Sequence, residues 1–161
     1  MFHEAIKYKT EWTIKRFSSD EAFAAGLAYD VSLVKGNLLL NEGIGELFDL
    51  ACGLGSPTAF SNANARIGVG DSATAEAATQ TDLQAATNKT YKAMSASYPA
   101  RAAQTVTWRA VFGSADANYA WQEMCIDNGG TALKTLNRKV SSQGTKASGQ
   151  TWTIDVTITL S

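Results

Sequence analysis

Residues 152–160, WTIDVTITL, alternate apolar and polar side chains without interruption. The apolar positions are Trp152, Ile154, Val156, Ile158 and Leu160, and the polar positions are Thr153, Asp155, Thr157 and Thr159. Strict alternation over this length is typical of a β-strand with one buried face. We therefore expect this segment to be one strand of a sheet.

Working outward from this strand, other segments repeat its two-residue period. Strand candidates lie at 8–15, 27–33, 65–69, 91–98, 106–112, 119–126 and 133–140. Residues 113–116 and 127–130 contain the Gly, Asn and Asp residues that favour turns. Strands at this spacing predict a mainly β fold, an antiparallel β-sandwich or a jelly-roll-like barrel with one short helix. The length of 161 residues favours a single domain, 1–161.

One segment changes to a helical period. Its apolar residues follow the spacing i, i+4, i+7, i+8 and i+11, at Leu40, Ile44, Leu47, Phe48 and Ala51. The spacing predicts a helix with Asn37 or Asn41 as N-cap and Gly53 just past its end. Because Gly43 and Gly45 each weaken a helix by ~1 kcal/mol relative to Ala, tertiary packing must stabilise it.

Three segments have weaker patterns. Residues 21–25 are long enough for one helical turn. Residues 73–86 carry few bulky side chains, and we expect an irregular excursion over the surface with Leu83 as its anchor. Loops of this length tend to be functional. Residues 141–149 are polar and predict a turn before the last strand.

The charge pattern argues against several classes of partner. The net charge is −1, whereas nucleic-acid-binding proteins usually carry a basic stripe. No run approaches the ~20 apolar residues of a membrane span, and residues 1–16 lack the apolar core of a signal peptide. We therefore expect no nucleic-acid or membrane partner, and synthesis in a cytoplasm.

Residue types suited to catalysis or metal binding are scarce. His3 is the single histidine and lies near the N-terminus, where side chains are rarely held firmly. Cys52 and Cys125 lack metal-ligand spacing and are expected to be small buried hydrophobic residues. Residues 68–72, GVGDS, lack the lysine of a phosphate-binding loop, and a tight strand exit with Asp71 capping the next turn explains them better. We expect no catalytic, cofactor-binding or metal-binding residues and no small-molecule substrate.

Carboxylates leave one enzymatic alternative open. A glycosidase needs two of them, and the candidates are Asp71, Asp116, Glu123 and Asp155. Glu123 is predicted to share the strand face of Trp121, and a buried glutamate needs a partner. Arg109 or Arg138 on a neighbouring strand is the expected partner, which makes a structural ion pair the favoured interpretation over a small hydrolase.

The four tryptophans have two interpretations. Trp12, Trp108, Trp121 and Trp152 all lie on predicted strands. Tryptophans on alternating apolar faces usually anchor a core or an interface. The alternative is a carbohydrate-binding platform, which would expose at least two of the indoles on one open face.

Several motifs resemble those of small structural proteins of tailed bacteriophages. The resemblance rests first on residues 37–44, NLLLNEGI, and 65–72, ARIGVGDS. It continues through 80–84, 98–99, 107–113, 117–123, 136–140 and 144–160. It covers most of the chain beyond residue 36 and supplies no catalytic residues. The resemblance implies a virion protein that is made in the host bacterial cytoplasm.

The resemblance implies two possible places in the particle. A capsid decoration or cement protein binds the major capsid protein as a homo-oligomer, often a trimer, and stabilises the assembled head. The alternative is a tail-fibre or baseplate-associated protein with a carbohydrate- or receptor-binding β domain. The chain has no heptad or stalk repeat, which favours decoration.

Two segments are predicted to contact partners. Residues 1–17 form a possible N-terminal strand or arm that would reach a neighbouring subunit through Tyr8, Trp12 and Ile14. The excursion 73–86, anchored at Leu83, would contact the capsid lattice or a sister subunit.

Overall fold

Two five-stranded antiparallel sheets pack face to face in the computed structural model, which describes residues 7–129 and 133–161. Sheet A has the order β2-β1-β10-β7-β6, and sheet B has the order β3-β9-β8-β4-β5. The strands are β1 (Tyr8–Phe17), β2 (Asp30–Lys35), β3 (Leu38–Leu39), β4 (Arg66–Gly70), β5 (Lys89–Ala93), β6 (Ala100–Ala102), β7 (Thr105–Phe112), β8 (Ala120–Asp127), β9 (Thr135–Thr145) and β10 (Thr151–Leu160). The helices are α1 (Asp20–Ala24) and α2 (Asn41–Cys52). The predicted mainly β, sandwich-like fold is confirmed.

The segment 152–160 forms β10, the central strand of sheet A. It pairs with β1 on one side and β7 on the other, so that Val156 lies between Trp12 and Trp108. Ile154 and Val156 are fully buried, as the alternation predicted. On the opposite face, threonine hydroxyls pair across strands at 2.8 Å between Thr105 and Thr159.

The core lies between the two sheets and contains all four tryptophans. Trp121 makes edge-to-face contacts with Phe112 and Trp152, at centroid distances of 4.9 and 4.8 Å. The prediction that the tryptophans anchor a core is confirmed. An open sugar-binding platform built from them is not present, because the four indoles are buried.

An irregularity in β8 changes which side chains share a face. The pairing register with β9 shifts between Trp121 and Glu123. Trp121 therefore points into the core with Met124 and Ile126, while Glu123 lies on the outer face of sheet B, where it contacts the segment 73–86. The prediction that Glu123 shares the face of Trp121 is wrong for this reason.

Several strand boundaries also differ from the sequence prediction. The strand predicted at 91–98 is β5, which ends at Ala93 because residues 95–98 form a turn with a hydrogen bond from the Tyr98 N–H to Ser95 O at 3.1 Å. β9 continues to Thr145 because its polar end pairs with the start of β8, at Ala120↔Thr145 and Trp121↔Gly144. The turn predicted at 141–149 is correspondingly shorter. β2 begins at Asp30 rather than at residue 27, and it is one of the two edge strands of sheet A.

Candidate assembly surfaces

Helix α2 packs on the protein through its polar side. Gly43 and Glu46 are its buried residues, whereas Leu47 and Phe48 are 44% and 63% exposed. A Cβ added at Gly43 would lie 2.5 Å from Leu136 Cα, so this glycine lets the helix backbone lie directly on β9. The packing that stabilises α2 therefore comes from Gly43 and Glu46, and of the five predicted apolar positions only Leu40, at the N-cap, is fully buried.

Two glutamates hold this polar side in place. The backbone N–H of Thr58 donates to Glu46 Oε1 at 2.6 Å, and Asn128 Nδ2 donates to the same oxygen at 3.0 Å. The N–H of Thr135 donates to Glu42 Oε1, also at 2.6 Å. These carboxylates bind backbone and side-chain groups of the sheet-B side, and Leu47 and Phe48 are left exposed.

The ends of α2 follow the sequence prediction only in part. Gly53 has a φ of +66° and donates its N–H to Asp49 O, as expected of a glycine that ends a helix. The N-cap is Leu40, not Asn37 or Asn41, and its side chain has no group that can accept a hydrogen bond. The side chain of Asn37 instead accepts a hydrogen bond from the Tyr8 hydroxyl.

Exposed apolar side chains lie on α2, just after it and at the end of β10. We name this set the helix patch, and its members are Leu47, Phe48, Leu50, Leu54 and Leu160. Leu47 and Leu160 also line a groove of about 210 Å³ at the open end of the sandwich. Exposed apolar side chains that line one groove mark an interaction surface more often than a scattered hydrophobic residue does.

A second apolar surface lies along the free edge of sheet A. We name it the edge patch, and it consists of Leu27, Tyr29, Val31 and Leu33, each more than half exposed. Val31 and Leu33 project from β2 beside Lys15 and Thr13. An edge strand with exposed apolar side chains is a template for contact with another chain.

The four side chains predicted to meet a partner lie mainly inside the molecule. Trp12 and Ile14 are fully buried in the core, and Leu83 is buried under the segment 73–86. Tyr8 is half-buried and packs against the core. The amphipathic pattern of β1 is satisfied by pairing with β10 and β2 of the same chain, so these residues form no outward surface in this structure.

Residues 73–86 lie across the outer face of sheet B, where a buried ion pair holds them. Arg138 and Glu123 are both fully buried, with Nη2 and Oε2 2.6 Å apart. Arg138 also donates to Thr74 O at 2.8 Å, while Glu123 accepts from the N–H of Ala85 at 2.7 Å. The structural ion pair between Glu123 and Arg138 and the anchoring role of Leu83 are confirmed.

Close side-chain contacts on sheet B explain two glycines that the sequence analysis assigned to a strand exit. Gly68 and Gly70 lie within β4. A Cβ at Gly70 would lie 2.5 Å from Glu123 Oε1, and one at Gly68 would lie 2.6 Å from the Tyr91 ring. Two glycines on the same face of one strand indicate that other groups of the protein approach that face closely.

The remaining candidate carboxylates each bind a different partner. Asp155 pairs with Arg109 at 2.5 Å, and Asp116 pairs with Lys92 at 2.9 Å. Asp71 accepts a hydrogen bond from Asn88 Nδ2 at 2.7 Å. Burial tends to raise the pKa of Asp116, but the hydrogen bonds from Lys92 and the Gly113 N–H lower it below its ordinary value. A general acid needs the opposite shift.

A concavity of about 420 Å³ lies on the outer face of sheet A. Aromatic walls come from Phe17, Phe23 and Tyr98, and cationic groups from Lys15 and Arg109. The Arg109 guanidinium lies 4.6 Å from the centre of the Tyr98 ring. Apolar walls with a few polar groups are typical of ligand sites.

The two cysteines have opposite environments. Cys125 is buried as predicted, and burial raises the pKa of its thiol. Cys52 is exposed at the end of α2, so the prediction of burial is wrong there, because the helix turns this side outward. His3 lies outside the described residues.

We expect the two thiols to react at very different rates. At neutral pH an alkylating reagent should modify Cys52 rapidly, while Cys125 stays protonated and shielded until the protein unfolds. Mass spectrometry of the native protein should show one modified thiol, and Cys52→Ser should remove it. Equal modification of both thiols in the native state would contradict this placement.

Residues 7–129 and 133–161 include no cluster of three or more His, Cys, Asp or Glu side chains arranged to hold a metal ion. Within the same ranges, no helix has the length and apolarity needed to cross a membrane. Comparison with protein-family models, curated protein sequences and solved structures gives no match to this chain.

Proposed function

We propose that this protein is a structural subunit of a tailed-bacteriophage particle that binds the major capsid protein and stabilises the assembled head. The observation that carries the proposal is the edge patch, whose four large apolar side chains are each at least 54% exposed. Monomeric soluble proteins rarely leave such area uncovered on a sheet edge. The phage part of the proposal is supported by the motifs at 37–44 and 65–72.

Contacts with the adjacent strand β1 hold the edge patch in a fixed conformation. Arg16 binds β2 from the adjacent strand, with Nη1 2.6 Å from Asp30 Oδ2. Arg16 is itself buried and lies 4.7 Å from the centre of the Trp152 ring. A rigid edge loses little conformational freedom on binding, so more of the burial energy of Val31 and Leu33 is kept as affinity.

A decoration protein stabilises a capsid by binding the assembled lattice in preference to the free capsid subunit. Many symmetric copies of the edge patch would then bridge neighbouring capsid subunits. The proposal therefore places the protein in the virion, as a homo-oligomer or as single copies repeated over the lattice.

The concavity of sheet A favours a second candidate function, a tail-fibre or baseplate-associated protein that binds a receptor or sugar. Phe23 would pack against a sugar ring, while Lys15 would hold an acidic group. This function requires few copies per particle and binding to the host surface.

A binding experiment tests the capsid proposal. Purified protein is added to particles from a phage strain that lacks it, and cosedimentation measures the bound amount. Replacing both Val31 and Leu33 with threonine should weaken binding at least about tenfold, because the buried apolar area is lost while the residues still favour a strand.

The matched control is Arg101→Thr on β6, the opposite edge of sheet A, which should bind as the unmodified protein does. Far-UV circular dichroism and unfolding curves check that both variants fold. Failure of the unmodified protein to bind particles would overturn the proposal, and unchanged binding by the Val31/Leu33 variant would overturn the role of the edge patch.

A further inference from the structure

The direction of the backbone hydrogen bonds of β2 follows from its neighbours in sheet A. Lys7 and Ser161 exchange both backbone hydrogen bonds, and the register of β1 with β10 is unbroken, so the odd-numbered residues of β1 bond toward β10. Its even-numbered residues therefore bond toward β2, as the hydrogen bond from the Gly36 N–H to Thr10 O also shows. Since even-numbered residues pair with even-numbered residues, the odd-numbered residues of β2 point their backbone groups away from β1.

These backbone groups lie at the free edge of sheet A. They are the N–H and C=O groups of Val31, Leu33 and Lys35, and β2 has no strand on that side in the described part of the chain. The side chains of the same residues lie on the outer face of the sheet, where Val31 and Leu33 are 54% and 55% exposed. We propose that this edge binds an extended segment of the capsid protein, which adds to sheet A as a sixth, antiparallel strand. The inference rests on the proposed function and specifies the form of the partner.

The other edge strands of the two sheets are less suited to strand addition. β6 and β3 have only three and two residues. β5 has five residues, and two of them are lysines. β2 has six residues, and the four central ones, 31–34, include no charge, proline or glycine. Because natural sheets prevent pairing at their edges with short strands and charged residues, β2 is the edge that is left open to a partner.

The charges beside this edge favour an acidic segment. Lys35 ends β2, and Lys15 lies opposite Val31 on β1, with both side chains on the outer face. Neither lysine forms a salt bridge with another described residue. The two lysines outnumber the one carboxylate that borders β2 on this face, Glu11. An acidic side chain on the added strand would therefore be attracted to this border.

The antiparallel register defines the sequence that fits. The residues of the added strand that lie opposite Lys35, Leu33 and Val31 form the hydrogen-bonded pairs, and their side chains lie on the same face as these three. Because the added strand runs opposite to β2, it passes Lys35 first, then Leu33 and then Val31. The segment is thus an acidic residue followed, at intervals of two residues, by two apolar residues.

Residue-resolved hydrogen exchange of the protein bound to particles tests the backbone contact. The particles come from a phage strain that lacks the protein. Binding should slow the exchange of the Val31 and Leu33 amides at least about tenfold, because their N–H groups become hydrogen-bonded. The amides of Ser32 and Val34 already bond to β1, so they should change much less. Contact through side chains alone would not produce this alternation.

A proline substitution separates the backbone contact from the side-chain contact. Leu33→Pro removes an N–H that points to the free edge and leaves the hydrogen bonds to β1 in place, so the strand should still form. In cosedimentation, Leu33→Pro should bind particles about tenfold more weakly than Leu33→Ala, although alanine removes more apolar surface. Unfolding curves check that both variants fold.

A charge substitution tests the acidic residue of the segment. Lys35→Gln should weaken binding about two- to fivefold, because it removes one cross-strand charge pair. The matched control is Lys9→Gln, which lies on the same face of sheet A but outside the stretch of β1 that pairs with β2. This control should bind as the unmodified protein does.

Each result decides the inference. Slower exchange at Val31 and Leu33, together with the weak binding of Leu33→Pro, supports it. Binding to particles without that change, or equal binding by Leu33→Pro and Leu33→Ala, overturns it and leaves the capsid proposal intact. The same slower exchange in the purified chain alone, increasing with concentration, would assign the edge to a second copy and also overturn it. Failure of the unmodified protein to bind particles overturns the capsid proposal and this inference with it.

Discussion

Replacing Arg138 with methionine is expected to lower the free energy of unfolding by about 3–5 kcal/mol. The substitution leaves Glu123 as a charge in a fully buried site. It also removes the donors that bind the segment 73–86 at Thr74 O and Gln80 Oε1. Urea denaturation measures the change, and limited proteolysis should show earlier cleavage within 73–86.

The matched control for Arg138 is Arg109→Met, which breaks an ion pair on the opposite sheet. The Arg109 side chain is 35% exposed, so solvent screens its pair with Asp155. We expect a loss of only about 0–1 kcal/mol there. Similar losses at the two sites would show that burial does not set the strength of the Glu123–Arg138 pair, and would contradict the role we assign to it.

Trp121→Ala is expected to cost about 3–5 kcal/mol of folding free energy. It removes the ring at the centre of the aromatic cluster with Phe112 and Trp152, together with the hydrogen bond from Trp121 Nε1 to Ala117 O at 3.0 Å. Thermal unfolding followed by circular dichroism gives the size of the loss.

Tyr29→Ala controls for the removal of an aromatic side chain. Tyr29 is more than half exposed, so its removal should change stability by about 0.5 kcal/mol or less. A Trp121→Ala protein as stable as Tyr29→Ala would mean that Trp121 is not part of the core.

The sequence predicted the strands well wherever apolar and polar residues alternate. In β1 and β10 the period of two decides both the strand and its buried face, because one face must lie against the core. The core positions of Trp12, Trp108 and Trp152 follow from the same alternation, whereas Trp121 lies on β8, where the alternation is broken. These features depend on local pattern alone, which a single sequence contains.

Helix α2 shows what the pattern could not reveal. Its apolar spacing predicts a helix but not which side packs on the same chain. That choice depends on Gly43 fitting against Leu136 and on Glu46 reaching Thr58, contacts between segments far apart in sequence. The exposure of Leu47 and Phe48 became visible only when Gly43 and Glu46 were found buried.

The sequence also did not predict the register shift in β8 or the path of residues 73–86. A one-residue irregularity reverses the face of every later side chain, which moved Glu123 to the outer face of sheet B. The suggestion of an ion pair with Arg138 still held, since a buried carboxylate needs a partner on either face. The structure does not show the partner surface predicted at Tyr8, Trp12 and Ile14. The apolar face of an amphipathic strand can pack equally well against the core of its own chain.

The most direct test of the capsid proposal is the number of copies of this protein in purified particles. Quantitative mass spectrometry measures it against the major capsid protein. Decoration of the head predicts a ratio of about one, or another fixed fraction set by the lattice symmetry. A handful of copies per particle, or none, would contradict the proposal, and a handful would favour the tail-associated function.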